Sequence, residues 1–153
     1  MPLWLRKEIQ SVSWQSFMNV AIAIIINQSQ HVLITQRALQ DSHGGFWEFP
    51  GGKLKSSETG PEALIREIKE EVGLDVLAYE YLGLIEHTYN HVAVSLMVYQ
   101  VTDYRGEATP LESQMALQWV PLETLSSLKF PAANSQIIRL IKEPSHLPSL
   151  PQK

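Results

Sequence analysis

Gly52-Lys53-Leu54-Lys55-Ser56-Ser57-Glu58-Thr59-Gly60-Pro61-Glu62-Ala63-Leu64-Ile65-Arg66-Glu67-Ile68-Lys69-Glu70-Glu71-Val72-Gly73-Leu74 decides how this chain is read. Thr59 suits a helix N-cap, Pro61 is tolerated in the first turn, and Glu62 stands three residues after the cap, within reach of the cap backbone. Gly73 suits the stop. In the helix that these signals predict, Glu67, Glu70 and Glu71 occupy i, i+3 and i+4 and share an arc of roughly 100°. Leu64, Ile65, Ile68 and Val72 fill a neighbouring arc, so the carboxylates flank the stripe that faces the core. Like charges at this spacing repel by about 0.2–0.5 kcal/mol per pair in water, and a bound divalent cation reverses the sign. The plain alternative is a solvated acidic face.

Upstream, Asn19 to Asn27 and His31 to Gln36 read as two strands joined by the polar turn Asn27-Gln28-Ser29-Gln30, a hairpin pattern. Phe46 to Phe49 reads as a short strand stopped by Pro50-Gly51-Gly52. Downstream, Leu74 to Glu86, Val92 to Thr102 and Leu117 to Val120 are strand-rich. Asn134 to Lys142 reads as a second helix that turns Ile137, Ile138, Leu140 and Ile141 toward the core. The order predicts an α+β fold with antiparallel pairs and helices on the faces of the sheet. One domain over residues 18–142 accounts for all of it. Residues 1–17, with Trp4, Leu5, Ile9, Val12, Trp14 and Phe17, are too apolar for a free tail and are expected to pack on the domain or on a second subunit. Residues 143–153 hold three prolines, which break any helix entering them, and are expected to be mobile.

The 153 residues fit one such domain, and 44% hydrophobic with 18% charged residues is the composition of a chain that buries a core. A net charge of −4 argues against gripping polymeric nucleic acid by bulk charge, so a polyanionic ligand needs a local cation. The absence of cysteine removes disulfides, thiol nucleophiles and Cys-based zinc sites, and fits a reducing compartment with the cytoplasm as default. Arg6, Lys7 and Glu8 stand where a signal peptide needs its apolar stretch. The longest apolar run, Val20 to Ile26, is far below the roughly 20 residues that a spanning helix needs, and no membrane partner is expected.

From Gly52 onward the chain follows Gly-x5-Glu-x7-Arg-Glu-aliphatic-x-Glu-Glu-x-Gly-aliphatic at every specified position, and on this signature it resembles the Nudix hydrolases. The likeness extends to Thr35-Gln36-Arg37-Ala38, to Glu48-Phe49-Pro50-Gly51-Gly52-Lys53, to Glu112 with Gln114, and to Phe130-Pro131-Ala132-Ala133-Asn134. It covers residues 18–142 and is nearest to members that act on oxidised purine nucleotides. It implies a mixed sheet sandwiched between helices, and magnesium-dependent hydrolysis of a nucleoside triphosphate such as 8-oxo-dGTP to the monophosphate and pyrophosphate, cleaning the precursor pool. Another nucleotide, or binding without cleavage, is the alternative; the intact carboxylate set speaks against the latter.

The resemblance also implies roles. Glu67, Glu70, Glu71 and Glu112, with the Gly51 carbonyl, would hold magnesium, for which manganese can substitute. Arg66 would orient Glu67, with Glu58 anchoring the loop. Glu67 and Glu112 compete as general base for the attacking water. Arg37 would meet phosphate or sugar, with an ordinary surface charge as its other reading, and Lys53, beside the glycines, would offset phosphate charge. Asn134 would pair with a purine edge, although its type and place equally suit a helix cap. Phe49, Met18, Val20 and Tyr89 would line a slot for the base or simply the core. His43 and the histidines His87 and His91 lack an i, i+4 pair and read as surface residues. Between Arg37 and Phe46 the chain departs from its relatives, with Gly44, Gly45 and Ser42 where they contact the nucleotide. A monomer or weak homodimer is expected.

Overall fold

The structure, a computed structural model, describes residues 17–40, 44–89 and 91–142. Along the chain run β1 (Phe17–Ile25), β2 (His31–Gln36), β3 (Trp47–Glu48), β4 (Gly51–Lys53), α1 (Gly60–Val72), β5 (Asp75–Tyr89), β6 (Val92–Arg105), β7 (Ala116–Pro121), a 3-10 turn (Leu122–Ser127) and α2 (Asn134–Lys142). The expectations for residues 1–16, for Ser42, His43 and the Tyr89 ring, and for residues 143–153 fall outside the described residues. None of the described helices is long and apolar enough to cross a membrane.

Every residue from Val20 to Ile25 is buried, so β1 needs partners on both edges and cover on both faces. It pairs antiparallel with β4 and parallel with β6, and β6 pairs antiparallel with β5, giving the order β4-β1-β6-β5. The expected β1–β2 hairpin is corrected here. β2 joins a second sheet, in the order β3-β2-β7, and its pairing with the β1 end of the chain is confined to the turn, at an isolated bridge between Ile26 and Val32 and the Asn27 N–H to His31 carbonyl bond. A strand apolar on both faces is worth more in the middle of a sheet than in a two-stranded ribbon, and parallel β6 takes the edge that a hairpin would have used. Gly51-Gly52-Lys53 also differs from expectation. It does not merely stop a strand but forms β4, facing Ile22, Ala21 and Val20. Its glycines permit this approach, since a Cβ on Gly51 would run into the Ala21 carbonyl.

The two faces of β1 feed two cores. Ala21, Ala23 and Ile25 pack with Ala63, Leu64, Ile68 and Val72 of α1, and the two alanines let the helix come close. Val20, Ile22 and Ile24 pack on the opposite side with Val94, Leu96, Val98 and Ile137 of α2. The layer thus lies between helices, as the sequence predicts. Ile65 is the exception in α1: it is exposed, and Ala63 takes its place in the stripe.

α1 begins and ends where its signals place it. Thr59 accepts the Glu62 N–H while the Glu62 carboxylate accepts the Thr59 N–H, a full capping box. Gly73 closes the helix at φ 76°, a conformation that costs glycine little, and donates its N–H to the Lys69 carbonyl.

Candidate active site

The carboxylates of α1 are arranged by one guanidinium. Arg66 grips Glu58 with two hydrogen bonds, Nε to Oε2 at 2.7 Å and one terminal nitrogen to Oε1 at 2.8 Å. Its other terminal nitrogen donates to Glu67 at 2.7 Å and to Glu70 at 3.2 Å. A further bond, to the Lys53 carbonyl at 3.1 Å, ties the fork to β4. With a side chain only 20% exposed, Arg66 is not a loose surface salt bridge. These hydrogen bonds hold the Glu58 carboxyl down at about 2, and Glu58 in turn raises the proton affinity of Arg66.

Glu67 is pressed against β4. A Cβ on Gly52 would occupy the space of the Glu67 carboxylate, so only glycine admits this contact. Burial raises the Glu67 proton affinity against the pull of Arg66. Oxygens of Glu67, Glu70 and Glu112 lie within 4.8 Å of one another. An octahedral magnesium ion with ligands at about 2.0–2.1 Å sets neighbouring oxygens roughly 3 Å apart, so the three carboxylates reach that geometry by small rotations. Without a cation they repel by about 1–4 kcal/mol per pair, according to local polarity. Oxygen-only donors at this separation fit a hard divalent cation.

Glu112 arrives from the segment between β6 and β7, which no periodic pattern fixes. Hydrogen bonds to the end of α1 fix it instead. Thr109 N–H donates to the Val72 carbonyl at 2.9 Å, and both Leu111 N–H and Gln114 Nε2 donate to the Glu71 carbonyl, at 3.0 and 3.1 Å. Gln114 Oε1 accepts the Glu112 N–H at 2.8 Å. Gln114 is therefore the positioning residue that sequence reasoning saw without giving it a task.

Glu71 stands apart from the three. Its carboxylate accepts the Gly51 N–H at 2.7 Å and so fixes the turn into β4. Burial, followed by the nearby charge of Glu48, pushes its proton affinity well above the usual carboxylate range. Glu48, only 8% exposed, is the acid that sequence reasoning overlooked. A charge within the apolar run Phe46–Phe49 was its signal.

Among the remaining candidates, Arg37 is 2% exposed, which sets aside the surface-charge reading. Phe49 is buried and stacks on Phe130 with centroids 5.2 Å apart, and Met18 and Val20 belong to the same core. Lys53 lies in β4 beside the Arg66 fork. Asn134 is the first residue of α2 and is 6% exposed; its N–H donates to the Pro131 carbonyl, and its side-chain amide makes no hydrogen bond to any described residue. The cap reading called for such a bond. No described histidine joins a group able to hold a metal ion.

Comparison with known proteins agrees with this geometry. The family described as "NUDIX domain" matches residues 21–140. The 8-oxo-dGTP diphosphatase of Proteus vulgaris is 39% identical over 92 residues, which are 60% of this chain and 82% of the relative. That of Escherichia coli K12 is 31% identical over 125 residues, 82% of this chain and 96% of the relative. The CTP pyrophosphohydrolase of Escherichia coli K12 is 33% identical over 116 residues, 76% and 84% of the two chains. Among solved structures, the MutT Nudix hydrolase of Burkholderia pseudomallei superposes with a TM-score of 0.74 at 25% identity, covering 82% of this chain and 98% of that one.

Proposed function

The chain belongs to the Nudix family, and from that premise we propose that it is a magnesium-dependent nucleoside triphosphate diphosphatase that prefers oxidised guanine nucleotides such as 8-oxo-dGTP and clears them from the nucleotide pool. One observation carries the reading: Glu67, Glu70 and Glu112 converge within 4.8 Å on an acidic protein that must nonetheless receive a polyphosphate. The names of the relatives supply the nucleotide. A divalent cation bound there screens phosphate oxygens from carboxylates and makes a water more acidic.

The chain's own residues do the rest. Glu67, Glu70 and Glu112 hold the cation. Glu71 fixes the Gly51 peptide from behind the cluster, and the Gly51 carbonyl would complete the ligand set. Arg66 holds Glu67 and Glu70 in place, and Glu58 holds Arg66. Glu67 and Glu112 are the two groups placed to take the proton of the attacking water, and burial suits Glu67 to the task by raising its proton affinity. Arg37 and Lys53 meet the phosphates and sugar, the Phe49 ring borders the base, and the amide of Asn134 pairs with its edge.

Water attacks the β-phosphorus, the bond to the oxygen bridging α and β breaks, and the nucleoside monophosphate departs with that oxygen. Hydrolysis in 18O-labelled water tests this: label is expected in pyrophosphate, with all turnover lost in excess chelator. Orthophosphate and a nucleoside diphosphate as primary products would overturn it. The resemblance to a CTP pyrophosphohydrolase supports a second reading, a pyrimidine triphosphate as substrate of the same site. Relative kcat/KM for 8-oxo-dGTP, dGTP and CTP decides between the two.

A further inference from the structure

α1 covers only part of the sheet face on which it lies. Its first residue, Gly60, sits on the Tyr99 hydroxyl and the Met97 methyl, so closely that a Cβ there would lie 2.8 Å from Met97 Cε. From that point α1 runs toward the Arg105 end of β6. The opposite part of the β5–β6 ribbon extends past the helix with no described helix above it. Residues directly opposite one another in an antiparallel pair share a face. Tyr81 faces Tyr99, Leu84 faces Met97, Glu86 faces Ser95 and Thr88 faces Ala93, so all of them lie on the α1 side. Here Tyr81 is 51% and Leu84 50% exposed, and Tyr79, opposite Val101, continues the strip along β5. Next to Leu84 is a cavity of about 590 Å³ lined by Glu86, His87, Thr88, Ala93, Val94 and Ser95.

The chain itself holds apolar residues that need such a face. Phe17 begins β1 opposite Ala93, which itself lines the cavity, so β1 starts one strand spacing, about 5 Å, from the cavity wall. Sixteen residues can extend for up to ~50 Å, whereas the strip from Thr88 to Tyr79 is only about 30 Å long. The segment carries Leu3, Trp4, Leu5, Ile9, Val12 and Trp14, which need cover, and Arg6 and Lys7, which suit Glu86 in the cavity wall.

We infer that residues 1–16 fold back onto the α1-side face of their own β5–β6 ribbon, filling the cavity beside Leu84 and covering Tyr81 and Leu84 with their apolar side chains. The absence of cysteine gives a clean test. A nitroxide is attached to Ser11→Cys in the full 15N-labelled chain, and paramagnetic broadening of amide signals is measured. Signals of Leu84, Glu86 and Thr88 are expected to lose at least half their intensity, and those of Ile138 and Arg139 on α2 to keep theirs. In a mixture of 15N chain without nitroxide and unlabelled chain with it, no broadening is expected. Leu84→Asp, a change at a half-exposed position, should relieve the broadening, and Tyr81→Ser should act likewise. Broadening in the mixture would make a second copy the occupant and overturn the inference. So would broadening centred on α2, no broadening at all, or broadening that survives both substitutions.

Discussion

Asn134 is where a single side chain separates recognition from scaffolding. The residue is 6% exposed, yet its amide bonds to no described residue and so stays available to a ligand. If a purine edge satisfies it, Asn134→Ala should lower the kcat/KM ratio of 8-oxo-dGTP to dGTP by roughly 5- to 150-fold, the worth of a bidentate base contact. Chelation-sensitive turnover should persist. Steady-state kinetics on both nucleotides, with thermal unfolding alongside, checks this; a lowered midpoint with an unchanged ratio would return Asn134 to the helix. The position was legible in Phe130-Pro131-Ala132-Ala133-Asn134, but its lack of a capping bond was not. A cap is a matter of one rotamer and one turn, and the sequence is equally compatible with both readings.

Arg66 belongs to the scale of the element, because it fastens α1 to the loop before it and to β4. Lysine in its place keeps the charge but lacks the planar fork that spans Glu58, Glu67 and Glu70 together. Arg66→Lys should therefore lower kcat by about 10- to 100-fold, as losing a partner that orients metal ligands does, with little change in KM. Unaltered kcat at saturating magnesium would refute the orienting role. The helix around it was legible almost to the residue, since cap, stripe and stop are local signals within one stretch. Pairing was less so. β1 and β6 run parallel between segments some seventy positions apart, Phe17 against Ala93, and nothing near Val20–Ile26 names that partner. The doubly buried run showed that β1 is central, and that alone tells against a simple hairpin. Glu112 was legible only by likeness, because hydrogen bonds to helix carbonyls leave no periodic trace.

Across the whole molecule, the acids pull stability in opposite directions with pH. Glu58, held at about 2, contributes stability that is present above the ordinary 4.5 and is lost as pH falls from there toward 2. Glu71 has the opposite sign: its raised proton affinity contributes stability below 4.5 that is lost as pH rises from there toward its folded value. In excess chelator the unfolding midpoint should consequently fall as pH rises above 4.5, and Glu71→Gln should flatten that slope. Magnesium at a hundred times its dissociation constant should restore about 2.7 kcal/mol. Thermal scans across that range check both, and equal slopes in the two proteins would remove Glu71 from the account. The fastening of residues 109–114 to the last turn of α1 has a further consequence, one of timing. Helix ends open far more often than helix middles, and amide exchange reports the difference. Glu67 and Glu70 are braced by Arg66, whereas Glu112 hangs from the carbonyls of Glu71 and Val72, at the end that frays first. The oxygen cage is thus built of two walls with unequal lifetimes. Releasing the Glu112 wall costs only a few bonds worth about 0.5–1.5 kcal/mol each, while the wall braced by Arg66 stays in place.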